Sequence, residues 1–153
     1  MSRAREFANI ASSAGAGGRP GRNILVNGAM TVAQRATQVT GLGAANDVFA
    51  ALDRIKYFVG NTAGRFTAEQ VAVTDLPGFA KAMKLSCTTA DTSIAADEFL
   101  GFKHMIEGKD VQQLKKGTSS AEMTTLSFYV KGNAAAEYTV ELRDIDNDRK
   151  NRS

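Results

Sequence analysis

Tryptophan is absent from these 153 residues, and cysteine, histidine and proline are nearly so, with one, one and two copies. A lone Cys87 excludes an internal disulfide and any multi-cysteine zinc site. A lone His104 leaves no second imidazole for a proton relay. No apolar run approaches the roughly 20 residues that cross a bilayer as a helix, so membrane insertion of that kind is not expected. The N-terminus has arginines without the apolar stretch of a signal peptide, so export by that route is not expected.

What the chain has is ordinary hydrophobic content, 43%, and 23% charge, in a length that suits about one domain. The net charge of +3 is located in one place. Residues 1–22 hold Arg3, Arg5, Arg19 and Arg22 against Glu6, and the remainder is balanced. Without a basic body, nucleic acid is not the expected partner. The same 22 residues contain the run Ala11-Ser12-Ser13-Ala14-Gly15-Ala16-Gly17-Gly18, which reads as a flexible arm. Arg3, Arg5, Phe7 and Ile10 are its candidate docking contacts, two charges and two apolar anchors that would order against a partner.

Beyond the arm the dominant pattern is alternation with period two, the mark of strands with one wet and one dry face. Residues 23–35 show short alternating runs around the turn signal Asn27-Gly28. Residues 38–46 read as a loop built on Gly41-Leu42-Gly43, and residues 53–59 and 64–73 as successive strands linked through Gly60-Asn61. After the break at Leu76-Pro77-Gly78, residues 82–88 place Met83, Leu85 and Cys87 on one face. Residues 99–106 alternate again. Residues 109–116 suggest a short helix or turn that stops at Gly117. Two further runs are expected to pair as a hairpin. In one, Leu126, Phe128 and Val130 oppose Thr125, Ser127 and Tyr129; in the other, Tyr138, Val140 and Leu142 share a face.

Many short strands with little helix imply a mainly β protein, an antiparallel sandwich of jelly-roll type over residues 23–148. The chain turns polar after Arg143, where another strand is expected, and residues 149–153 read as a polar tail or a truncation point. The sandwich is therefore expected to be incomplete, closed by a partner or by more chain.

Candidate chemistry is sparse. Cys87 reads as a buried structural thiol and His104 as a packing or surface residue. Asp144, Asp146 and Asp148 have a spacing that can present oxygens to calcium, but Arg149 and Lys150 follow where an EF-hand needs further ligands. No carboxylate pair has the setting of a glycosidase acid and nucleophile. The reading is of a protein that is not an enzyme and needs no metal or cofactor. Phe66, Phe102 and Phe128 alternate as core residues, which leaves Tyr129, with Thr125 and Ser127, as the candidate glycan contact.

Several segments together resemble a family of phage virion proteins. They are NILVNGAMTVAQR, LDRIKYFVGNTAGRFTAEQ, FAKAMKLSCTTADTSIAADEF, IEGKDVQQLKKGTSSAEMTTLSFYVKGN and YTVELRD, in that order over residues 23–148. The resemblance is to tail-fibre or tail-associated proteins whose domain is similar to a carbohydrate-binding jelly roll. It implies a structural place in the phage tail, docking on other virion proteins through the arm, and homo-oligomerisation, a trimer above other states. It also implies contact with host-surface glycans as an alternative role. The chain departs from the family at Ile55, which follows Asp53-Arg54 where a tryptophan is common. Family members also continue for several strands past the position of Asp148.

Overall fold

The computed structural model describes residues 23–133, 135–145, 147 and 149–152. They fall into two compact units, one ending at Glu122 and one beginning at Met123. The boundary lies inside the stretch 23–148 that reads as one domain.

The first unit is built on an antiparallel sheet of β1 (Gln38–Phe49), β2 (Ile55–Ala72), β3 (Lys81–Thr89) and β4 (Phe99–His104). Its axis is β2, 18 residues long. On one side β1 pairs with β2 from Phe49↔Lys56 to Gln38↔Glu69. On the other side two strands share β2 end to end: β4 pairs with Ile55 to Gly60 and β3 with Arg65 to Ala72. Between them Asp91 takes the place of a strand. Its carboxylate accepts from the Thr62 hydroxyl at 2.9 Å and from the Ala63 N–H at 2.7 Å.

Two expectations fail here for one reason. Residues 38–46 form most of a strand, not a loop, and residues 55–72 form one strand, not two. Gly41 and Ala44 in β1, and Asn61 in β2, have left-handed backbones with φ of 70°, 56° and 59°. Such residues read as turns, but each is absorbed as a bulge, with register shifts where β1 crosses this region. At Asn61 the bulge changes the parity of β2. Tyr57 and Phe66, an odd and an even position, meet on the same face with ring centroids 6.4 Å apart.

Residues 23–35 are not extended strands but an irregular segment organised by Asn27. The Asn27-Gly28 turn forms as expected, with Asn27 at φ 61°. Its side-chain amide donates to the Val32 and Asp53 carbonyls, at 2.9 and 3.0 Å, and its oxygen accepts from the Val32 N–H. This ties the segment to the β1–β2 turn, where Ala50, Ala51 and Leu52 are buried. Strands β3 and β4 lie where alternation places them. Helix α1 (Gly108–Val111) and a 3-10 turn (Gln112–Leu114) follow, stopped by left-handed Lys115 at φ 49°.

The second unit differs most from expectation. Residues 125–130 join no strand, and the pairing falls later, between β5 (Glu141–Asp144) and β6 (Arg149–Arg152). The intervening turn is held by Asn147, whose amide donates to the Asp144 carboxylate at 2.6 Å. Alternation specifies which residues share a face but not which segment supplies the ladder, and here the local turn decides. Residues 149–152, read as part of a polar tail, thus supply strand β6.

The protein is mainly β with an antiparallel sheet, and among the described residues that sheet is not closed.

Candidate functional site

Cross-strand pairing assigns each side chain of the first unit to a face. One face carries Val48 from β1, Ile55, Tyr57 and Val59 from β2, and Leu100 and Phe102 from β4. Past the bulge the same face continues through Leu42, Phe66, Ala68, Met83, Leu85 and Cys87. Its centre is dry. Leu42, Ala50, Ala51, Tyr57, Val59 and Ala68 form the buried cluster, with Val39, Phe66, Met83 and Leu85 packed on it. The segment before β1 is bonded to the sheet at several points. The Met30 carbonyl accepts from the Gln70 amide at 2.7 Å, Met30 Sδ from the Met83 N–H at 3.0 Å, and the Val26 carbonyl from His104 Nε2 at 2.8 Å.

Towards the edges the apolar face becomes wet. Tyr57 is 0% and Val59 3% exposed, yet their direct cross-strand neighbours Phe102 and Leu100 are each 43% exposed, and Val48 is 37% exposed. Large apolar side chains exposed next to a core mark a contact surface more often than scattered ones do. The outer edges of β1, β3 and β4 also carry no strand among the described residues. Unpaired backbone along such edges is a template for another strand.

The opposite face is polar. Asp47 accepts from Lys103 Nζ at 2.9 Å and lies 3.5 Å from Lys56 Nζ. The Lys103 bond holds its carboxyl below the ordinary value, with Lys56 adding to the effect. Glu69 pairs with Lys84 at 2.8 Å, which likewise lowers the Glu69 carboxyl. These are surface pairs, and each adds little to stability.

Cys87 is exposed, not buried, because it lies near the wet end of β3, and its thiol donates to the Thr89 carbonyl at 3.3 Å. Phe66 packs on the core as expected, whereas Phe102 and Phe128 are exposed, at an edge and outside any strand respectively. Tyr129 is 73% exposed and belongs to no strand, so it has no ladder to fix it as a sugar platform. His104 bonds to the chain backbone as above. No group of acidic, histidine or cysteine side chains among the described residues is arranged to hold a metal. Asp146 and Asp148 lie outside the described residues, as do Arg3, Arg5, Phe7 and Ile10.

Sequence reasoning missed the aromatics of the polar face. Phe58 pairs across the sheet with Gly101, and Phe99 with Gly60. The signal was present as two Phe-x-Gly triplets, Phe58-Val59-Gly60 and Phe99-Leu100-Gly101, which in an antiparallel pair set each ring opposite a glycine. No family model matches the chain, and neither the curated proteins nor the solved structures contain a match to it.

Proposed function

We propose that this chain is a non-enzymatic structural protein of a phage virion, a tail fibre or its tail-proximal segment, which assembles through its β domain as a homotrimer. The observation that carries the assembly is the apolar face that stays exposed at Val48, Leu100 and Phe102 beside fully buried Tyr57 and Val59. Copies that cover this face and extend the open edges supply the second layer of the sandwich, and the jelly-roll arrangement is completed in the oligomer. The virion role rests on the ordered sequence resemblance over residues 23–148, and the arm is its anchor to the tail.

Light scattering on the purified chain tests the assembly. The expected result is a β-rich trimer at micromolar concentration, converted to monomer by Val48→Lys with Leu100→Lys, while the circular dichroism of the sheet is kept. A folded wild-type monomer would overturn it. Deleting residues 1–21 is expected to abolish incorporation into virions without unfolding the β domain, and normal incorporation of that truncation sinks the anchor.

A further inference from the structure

A diagonal of three phenylalanines crosses the polar face of the sheet: Phe49 on β1, Phe58 on β2 and Phe99 on β4. Each step moves one strand across and two residues along, so the row extends on the order of 15 Å. Phe99 is 52% exposed and Phe49 39%. The rings of Phe58 and Phe99 are 5.7 Å apart and tilted by 38°. The opposing glycines set their height above the sheet. A Cβ on Gly60 would lie 2.4 Å from the Phe99 ring, and one on Gly101 would lie 2.7 Å from the Phe58 ring. Both rings therefore rest over bare backbone and give up little further freedom when a ligand meets them.

Charge is interleaved with the rings. Arg35 and Lys56 stand 5.3 and 5.2 Å from the Phe49 centroid, and Lys103 stands 5.3 Å from that of Phe58. Asp47 sits between Lys56 and Lys103. Beyond Gly60, the Asn61 amide donates to the Asp97 carboxylate at 2.8 Å. The centre of the patch thus holds three cations and one carboxylate, all within reach of exposed aromatic surface.

We propose that this diagonal is a carbohydrate-binding platform for an acidic oligosaccharide, with the phenylalanines taking the apolar faces of successive sugar rings. Arg35, Lys56 and Lys103 donate to sugar carboxylates, and Asp47 accepts from hydroxyls. Aromatic surface with a few fixed polar groups is the chemistry that holds sugars, and the excess of cations selects acidic ones. A stacked single-stranded nucleic acid would meet the same rings and cations, and it is the competing ligand that the experiment must separate from an acidic sugar. The site is independent of how the chain assembles.

Affinity electrophoresis through gels containing polygalacturonate, with dextran gels for comparison, tests the platform. Polygalacturonate is expected to retard the protein more than dextran does. Phe99→Ala should weaken that retardation about tenfold, the scale of one lost ring contact. Lys103→Gln should weaken it without creating a preference for dextran. If Phe99→Ala loses its sheet by circular dichroism, Phe49→Ala carries the same expectation at the other end of the row. Absence of retardation, equal retardation by dextran, or full affinity in a folded Phe99→Ala or Phe49→Ala protein would overturn the proposal. Tighter binding of a single-stranded oligothymidylate than of polygalacturonate would overturn it as well.

Discussion

Replacing Tyr57 by phenylalanine should make this protein more stable. Tyr57 is 0% exposed, and its ring packs between Phe66 and Phe102, each with a centroid 6.4 Å away. Its hydroxyl is buried without a hydrogen-bond partner among the described residues. Burial, and to a smaller degree the Cys87 thiol, push its pKa up to about 12. Desolvating an unpaired hydroxyl costs about 1–3 kcal/mol, whereas losing the contacts of one oxygen atom costs a few tenths of a kcal/mol. The net expectation for Tyr57→Phe is a gain of about 1 kcal/mol, since both ring contacts are retained. With a urea dependence of about 1–2 kcal/mol per molar, the midpoint should rise by roughly 0.5–1 M. Chemical denaturation followed by circular dichroism, at one fixed protein concentration, reads this directly. The pH dependence gives a second readout. Because the unfolded phenol ionises near 10 and the folded one only at about 12, this group leaves stability independent of pH below 10 and lowers it as pH rises from 10 towards about 12. Tyr57→Phe removes that component. A midpoint that falls in the variant would refute the reasoning, since the hydroxyl must then be satisfied in the folded protein.

Asn27→Ala should destabilise the first unit by about 2 kcal/mol, because it removes three side-chain bonds and leaves alanine at φ 61°. Asn27→Gly loses only the bonds, so thermal melts of the pair separate the two costs, with alanine expected to melt lower. Gly101→Ala should cost about 1–3 kcal/mol, because the new methyl must displace the Phe58 ring. Urea denaturation that places it level with the wild type would refute the close approach. The Ser93 N–H, the Thr62 hydroxyl and the Ala63 N–H hold the Asp91 carboxyl below its ordinary value. Its contribution is therefore full above the unfolded value near 4 and is lost as pH falls through the lower folded value. Melting temperatures from pH 6 down to 3 should fall more steeply for the wild type than for Asp91→Asn.

The parts of this fold that were legible in the sequence are those in which one local signal decides. Alternation located β3 and β4, Asn27-Gly28 formed its turn, and the break at Leu76-Pro77-Gly78 separates β2 from β3. Strands β1 and β2 were misread because Gly41, Ala44 and Asn61 have left-handed backbones, which locally resemble turns. Only the partner strand shows that they are bulges. The exposed apolar rim was hidden for a related reason. Leu100 and Phe102 have the alternation of core residues, and their exposure depends on lying in the edge strand β4. Residues 125–130 carry equally good alternation and form no strand, since pairing is a property of two segments. The phenylalanine diagonal needs the register of β1, β2 and β4 together, and only its two Phe-x-Gly triplets are visible in one dimension.

The end-to-end sharing of β2 by β3 and β4 also sets an order of folding. The β1–β2 hairpin closes over a short turn, and β3 follows along the chain, so both pairings enclose little sequence. Strand β4 returns to the start of β2 from beyond β3 and encloses the longest loop in the sheet, so its closure costs the most chain entropy. It should dock last and exchange its amide hydrogens first. That same strand carries Leu100 and Phe102 on one face and Phe99 on the other. A ligand or a neighbouring copy that grips either face therefore locks the same late-closing strand, and occupancy of one surface should slow hydrogen exchange beneath both.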